Sequence, residues 1–392
     1  MKIPFNKPTA VGSELANIAD AVARGHLSGN GYYTKRCQQW LEERLGCPRA
    51  LLTHSCTAAL EMAALLCDIA PGDEVIMPSY TFVSTASAFV LRGAVPVFVD
   101  IRPDTFNIDE SQIEAAITPR TKAIVVVHYG GVACEMDEIL AIAQRHALLV
   151  IEDAAQALLG TYKGRNLGTL GHLGCLSFHE TKNLISGEGG ALLINDTGFA
   201  QRAEVIHEKG TNRSQMFRGE VDKYTWVDLG SSFLPGDMVA AFLDAQLANA
   251  DRVIARRRAV WERYFNGLRD LAAQGMVELP RTDYADRTPS YHLFYVLTET
   301  SAQRDALAAH LKTRGILAVF HYVPLHSSPA GRKYGRSSGE LPVTTSISDR
   351  LLRLPLYFSI RDAEVDAVIE AVRHSVIQAR AKVATVRDSY AG

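Results

Sequence analysis

The 392-residue chain predicts an α/β fold, a large domain with a mostly parallel, doubly wound sheet followed by a small C-terminal α/β domain. Three observations carry that expectation. Short β-rich apolar runs alternate with helical patterns from about residue 50 to 200. The runs are continuously apolar, as strands covered on both faces are. Asp153 and the 177–182 segment fall at the carboxyl ends of such runs, where open sheets of this kind bind ligands.

Taken in order, the candidate strands are 74–78, 95–101, 123–129, 148–153, 174–178 and 191–195. Candidate helices over 58–68, 84–91, 111–116 and 136–146 lie between them. After Asp153 the chain reads as the start of another helical run. From Asp237 to about Leu271 the pattern is one long helical stretch carrying Arg256-Arg257-Arg258. A smaller portion follows, with a strand over 291–297, a helix near 303–314 and a last helix near 362–380. This divides the chain into 1–245 and 246–392, with an N-terminal arm before residue 15 packing across the small domain. The polar, basic loop 207–223 reads either as a solvated surface loop or as one that reaches a phosphate or a neighbouring subunit.

Hydrophobic residues at 47% and charged residues at 21% suit a soluble globular enzyme with a sizeable core. Lys+Arg 41 against Asp+Glu 43 leaves a net charge of −2, so no global field favours nucleic acid or an anionic membrane. The first residues lack a signal-peptide core and no apolar run is long enough to span a bilayer. The 6 cysteines form no C-x-x-C pair, which points to reduced, mostly buried thiols in a cytoplasmic protein.

The chemistry concentrates in two segments. Val150-Ile151-Glu152-Asp153-Ala154-Ala155-Gln156 ends an apolar strand in a carboxylate, and Lys182 follows Asp153 by 29 residues (182 − 153). A buried carboxylate and a lysine are the two side chains pyridoxal phosphate chemistry needs most. The amine closes a Schiff base on the cofactor aldehyde, and the carboxylate keeps the pyridine nitrogen protonated, so that the ring accepts electrons. A solvated lysine and a helix N-cap are the ordinary readings of these two residues. Against them stand Ser177 and the turn Gly187-Glu188-Gly189-Gly190, which suggest backbone crowded against a ligand. Gln156 could face the same cavity and meet the cofactor's phenolic oxygen.

A third segment, Thr53-His54-Ser55-Cys56-Thr57-Ala58-Ala59-Leu60, opens a helix of small residues. Thr57 is either an ordinary N-cap or part of a phosphate cup with the Thr57 and Ala58 N–H groups and Ser177. Phe82 either stacks on a flat cofactor ring or is a core aromatic. No histidine spacing matches a zinc motif, so no metal is expected. His326 reads as a pocket residue for polar substrate groups.

Together with Pro78-Ser79-Tyr80-Thr81-Phe82 and Tyr322-Val323-Pro324-Leu325-His326, these segments occur in an order that resembles the DegT/DnrJ/EryC1/StrS sugar aminotransferases of nucleotide-sugar biosynthesis. The resemblance covers nearly the whole chain and implies the aspartate-aminotransferase fold (fold type I of pyridoxal phosphate enzymes). It also implies a homodimer in which each active site is completed by the other subunit. Lys182 would be the Schiff-base lysine, Asp153 the pyridine-nitrogen partner and Gln156 the contact to the ring oxygen. Thr57, Ala58 and Ser177 would hold the phosphate, with Phe82 against the ring. Two positions depart from the pattern. Cys56 stands where most members have glycine, and Ser232 and Leu234 stand where many carry the Asn and Arg that reach the partner's cofactor.

Within the family, Val132-Ala133-Cys134-Glu135-Met136-Asp137, His179-Glu180-Thr181-Lys182-Asn183 and Glu208-Lys209-Gly210-Thr211-Asn212-Arg213-Ser214-Gln215 resemble members that aminate TDP-4-keto-6-deoxy-D-glucose. Their product, TDP-4-amino-4,6-dideoxy-D-galactose, serves enterobacterial common antigen and related surface polysaccharides such as lipopolysaccharide. L-Glutamate is then the expected amino donor, and Arg213, Tyr322 and His326 the expected sugar-nucleotide contacts. The rivals are amination at C3 or of a GDP sugar, and a same-fold dehydratase, which commonly has histidine at the lysine position. A cofactor-binding sensor without activity would predict loss of Lys182 or Asp153, and both are present.

Overall fold

The computed structural model describes residues 2–390. An eight-stranded sheet runs in the order Arg49–Thr53, Gly190–Ile194, Leu173–Ser177, Leu149–Asp153, Thr121–Val127, Glu74–Pro78, Val95–Val99 and Arg336–Ser337. Only Gly190–Ile194 is reversed. It pairs antiparallel with both neighbours, so Arg49–Thr53 runs with the parallel set. The carboxyl ends of all the other strands therefore reach one edge of the sheet, and the chemistry-bearing segments arrive there together.

Side chains alternate between two apolar layers along each strand. Ile124 and Val126 face a core built with the helices Tyr32–Leu45, Met136–Arg145 and Asp237–Ala248. Ala123 and Val125 face the opposite core, built with Cys56–Leu66, Val83–Val90 and Ala200–His207. Burial on both faces is why the strands read as unbroken apolar runs.

Two expectations are corrected. The long helical stretch from Asp237 is two helices, Asp237–Ala248 and Ala250–Ala273, broken at Asn249. The Asn249 side chain donates to the Ala245 carbonyl at 2.9 Å, turning the chain where a helix would otherwise continue. The segment after Asp153 is a series of turns rather than a helix, with Leu159 in the left-handed region at φ 64. The strand Arg49–Thr53 and the helices Glu14–Ala23 and Tyr32–Leu45 were not among the expected elements.

A third core lies beyond the sheet. Phe294–Leu297 pairs antiparallel with Leu351–Leu354. The helices Ala250–Ala273, Ser301–Thr313 and Asp362–Tyr390 pack around Tyr264, Phe294, Leu311 and Val368. Ala250 and Val253 still belong to a core of the large sheet, and Val260 onward to the small one. The N-terminal arm is tied here, the Ile3 N–H donating to the Gly315 carbonyl at 2.9 Å and the Leu317 N–H to the Ile3 carbonyl at 3.0 Å.

His207 ends the Ala200–His207 helix fully inside, its Nε2–H donating to the Leu52 carbonyl at 2.6 Å. Burial pulls its pKa down to about 4 from 6.5. A folded-state value below the unfolded one means the stability contribution is whole above pH 6.5 and is lost as pH falls toward 4. That window is worth about 3 kcal/mol. His207→Gln, whose amide can still reach Leu52, should flatten the fall in stability between pH 6.5 and 4 measured by urea unfolding. An unchanged slope would place the acid sensitivity elsewhere.

Candidate active site

A cleft of about 680 Å³ opens at the carboxyl edge of the sheet, roofed by the Leu351–Leu354 strand and the 319–322 segment. Its volume is in the range of cofactor and substrate pockets. The structure brings Lys182, Asp153, Gln156 and Ser177 into it from adjacent central strands. Thr57, Phe82 and Tyr322 complete the expected residues that line it.

At one end, the Cys56–Leu66 helix points its first turn into the cleft. The N-cap is Ser55 rather than Thr57, because the extended backbone of Ser55 lets its hydroxyl accept the Ala58 N–H at 3.0 Å. Ala58 is thereby spoken for and does not line the cleft. Among the described residues the Cys56 and Thr57 N–H groups have no protein acceptor, so these are the donors offered to an anion. The Thr57 hydroxyl is held by the Ser84 hydroxyl at 2.8 Å. Cys56 in place of glycine does not prevent close packing, because Gly190 makes the approach instead. A Cβ on Gly190 would lie 2.4 Å from the Ser55 carbonyl carbon.

In the middle, Asp153 is buried at the end of Leu149–Asp153. One oxygen accepts the Thr85 hydroxyl at 2.7 Å and the other the Ala155 N–H at 3.2 Å. Its neighbour Glu152 points to the opposite face and does a different job. It accepts the Gly168, Leu170 and Gly171 N–H groups at 2.7, 2.6 and 2.6 Å and pairs with His128 at 2.8 Å. The Cys134 N–H donates to His128 Nδ1, so the proton sits on Nε2, toward Glu152. This buried network fixes the strand end from which Asp153 projects.

Lys182 follows the Leu173–Ser177 strand on a turn closed by the Glu180 N–H to the Gly187 carbonyl at 2.8 Å. Gly187, at φ 85, supplies the left-handed backbone that brings the chain back. The Lys182 amine makes no hydrogen bond or ion pair among the described residues. Desolvation lowers its pKa from the usual lysine value, outweighing Cys56 and Asp153, which act to raise it. An amine easily converted to its free base beside a buried carboxylate is a nucleophile and a proton carrier.

Around this pair, the Gln156 side-chain oxygen accepts the Gly130 N–H at 2.7 Å and its amide donates to the Tyr322 hydroxyl at 2.9 Å. One amide hydrogen is left for a ligand. Phe82 is 57% exposed and faces Tyr322 at 6.4 Å between ring centres, forming an aromatic wall.

Sequence reasoning missed His292, Asn183, His321, Thr85 and Arg353. The Asn183 amide donates to the Ser290 carbonyl at 2.7 Å, so its oxygen must accept from His292 Nδ1 at 2.9 Å. His292 thus presents Nε2 as an acceptor, and burial first, then Lys182, keep its pKa well below the usual histidine value. No spacing announces that pair. Arg353 did leave a signal, a lone charge inside Leu351-Leu352-Arg353-Leu354-Pro355-Leu356.

Besides Ala58, three expected residues lie outside this cleft. Ser79 holds His326, its hydroxyl 2.7 Å from Nδ1 and accepting the His326 N–H at 3.1 Å, so the ring clamps a loop instead of lining the pocket. His321, from the same segment, does line it, as do His179 and His292. Arg213 lies on the helix Arg213–Phe217 over the Phe217 ring, and Ser232 is exposed opposite Glu208. Neither reaches the cleft of its own chain.

The model of the DegT/DnrJ/EryC1/StrS aminotransferase family matches residues 9–373. The spore coat polysaccharide biosynthesis protein SpsC of Bacillus subtilis is 36% identical over 385 residues, 95% of this chain and 97% of that protein. The aminotransferase TlmJ from Streptoalloteichus hindustanus shares the fold with a TM-score of 0.89 at 33% identity, over 96% of this chain and 100% of that one. The putative sugar aminotransferase Spr1654 from Streptococcus pneumoniae, in its PLP-form, gives a TM-score of 0.88 at 26% identity, over 96% of this chain and 99% of that one. The cleft fits the cofactor these relatives imply, with unpaired N–H groups at a helix start for its phosphate, an unpartnered amine for its aldehyde and a buried carboxylate for its ring nitrogen. The chain belongs to the DegT/DnrJ/EryC1/StrS family, and is a pyridoxal phosphate-dependent aminotransferase of nucleotide-sugar biosynthesis with the fold of that enzyme class.

Proposed function

We propose that the chain transfers the amino group of L-glutamate to C4 of TDP-4-keto-6-deoxy-D-glucose, giving TDP-4-amino-4,6-dideoxy-D-galactose for surface polysaccharide. The observation that carries the transfer is the free Lys182 amine in one cleft with Asp153, where a same-fold dehydratase commonly has histidine. The sugar assignment is supported by the likeness of the 132–137, 179–183 and 208–215 segments to enzymes of that substrate.

When bound, pyridoxal phosphate supplies an aldehyde that accepts the donor nitrogen and a ring that takes up charge from the donor α-carbon. Lys182 removes the proton from that carbon and, in the second half of the cycle, returns a proton to sugar C4. Asp153, held by Thr85 and the Ala155 N–H, keeps the ring nitrogen protonated. The Cys56 and Thr57 N–H groups, the Thr57 hydroxyl and Ser177, all lining the cleft, would hold the phosphate, Gln156 would meet the ring oxygen, and Phe82 would pack against the ring.

The working unit in this reading is a homodimer. Arg213 and Ser232 lie away from their own cleft, on a segment that also exposes Phe217, Tyr224 and Trp226, the last at 75%. An apolar exposed stretch carrying polar groups of this kind suits a surface that meets the partner's cleft. The acceptor is tested by whether TDP-4-keto-6-deoxyglucose restores the absorbance of enzyme bleached by L-glutamate. Restoration only by a 3-keto or GDP sugar would replace this acceptor.

A further inference from the structure

The segment Ile3-Pro4-Phe5-Asn6 runs from the small core to the cleft. Ile3 is buried in that core, on its backbone bonds with Gly315 and Leu317. Phe5 and Asn6 then line the cleft that holds Lys182. The Asn6 amide donates to the Glu180 carbonyl at 2.9 Å, in the turn that carries Lys182. Behind Asn6 and Pro8, a cavity of about 20 Å³ borders Glu180, Lys182 and Asn183, room for a single water. Further along the arm, Gln246 donates to the Thr9 carbonyl at 3.1 Å and Arg252 to the Val11 carbonyl at 3.0 Å. The crossing is therefore anchored at both of its ends.

Lys182 depends on such anchoring. Its amine has no hydrogen-bond partner among the described residues, so its place is set through the backbone. On the carboxyl side, Asn183 is gripped by the Ser290 carbonyl at 2.7 Å and by His292 Nδ1 at 2.9 Å. On the amino side, the Glu180 N–H donates to the Gly187 carbonyl at 2.8 Å and the Lys182 N–H to the His179 carbonyl at 2.9 Å, both within the turn and its return. Among the described residues, the Asn6 bond is the only hydrogen bond that reaches 179–182 from outside 177–189. A long side chain magnifies any tilt of its backbone, and a displacement of about 1 Å can cost a reaction about 100-fold.

We propose that the N-terminal arm forms a wall of the active site and that Asn6 is a positioning residue for Lys182. This rests on the aminotransferase reading, in which the amine must reach the donor α-carbon and later sugar C4. Asn6 lies near solvent, so its bond adds little to the stability of the fold. Its effect comes from where it is placed, on the side of the lysine that no other segment holds.

The test compares the Asn6→Ala and Asn6→Asp holoenzymes with the wild type. Aspartate keeps the size of asparagine and has no hydrogen to donate, so both variants should behave alike. In stopped-flow bleaching by L-glutamate, the rate at saturating donor should fall about 10-fold, with the half-saturating concentration within about twofold. The melting temperature should drop by no more than about 3 °C. A larger drop would make Asn6 a residue of the fold. A wild-type rate in Asn6→Asp would make it a spacer, and a change confined to half-saturating concentrations would make it a ligand contact. Each of these overturns the proposal. Hydrogen exchange of the same holoenzymes reads the turn without turnover. The Glu180 and Lys182 amides should exchange about fivefold faster or more in both variants. Faster exchange confined to residues 2–8, with the turn protected as in the wild type, would also overturn it. If glutamate bleaches nothing in the wild type, the aminotransferase reading fails, and exchange still decides whether Asn6 holds the turn.

Discussion

Replacing Lys182 with alanine is expected to lower turnover by about 10⁴-fold or more, the upper range for one acid–base group, because this amine also attaches the cofactor. The fold should be unharmed. Among the described residues the amine has no hydrogen-bond partner to orphan, and desolvation already works against its charge. The melting temperature of the apoprotein should therefore stay level or rise. Cofactor added to the variant should bind through the phosphate and ring contacts without the yellow colour of attachment. Full turnover by Lys182→Ala would remove the residue from the chemistry. The same burial makes a pH statement: attachment of cofactor to wild-type apoprotein should speed up as pH rises and level off below the usual lysine range.

Asp153→Asn carries the second-largest effect, a fall of about 10²- to 10³-fold, the size of losing one preorganised electrostatic contact in a buried site. The geometry allows an isosteric swap, since the Thr85 hydroxyl at 2.7 Å can still donate to the amide oxygen. What goes is the negative charge opposite the ring nitrogen, so the proton there is no longer held. The loss should fall on proton removal from the donor, while colour from attachment at Lys182 persists. Stopped-flow bleaching by L-glutamate separates the two. A variant that fails to attach cofactor, or one that bleaches at the wild-type rate, would contradict this assignment.

The contrast between these two residues and Arg213, Ser232 and His326 shows what the chain makes legible. Asp153 ends one of two adjacent central strands and Lys182 lies on the turn after the other, and the topology then brings both to one edge. Their neighbourhood follows from covalent order. His326 is different, because the Ser79 hydroxyl that captures it comes from a strand end 247 positions away. The N-terminal helices had a readable signal in the four-residue spacing of the buried Tyr33, Cys37, Leu41 and Leu45, masked by the charged and polar residues among them. The break at Asn249 left almost none, since the flanking sequence is helix-forming on both sides. His292 could not be found from spacing, because its tautomer depends on Asn183 and Ser290, brought together only by the packed chain. Local chemistry was written in the segments, and long-range pairing was not.

The most direct measurement is a single-turnover spectrum. Holoenzyme is bleached with L-glutamate, freed of excess donor and mixed with TDP-4-keto-6-deoxyglucose. Return of the long-wavelength absorbance, with one amino sugar formed per site, is the predicted result. Bleaching by glutamate with no return would contradict the proposed acceptor, and no bleaching at all would contradict the proposed donor.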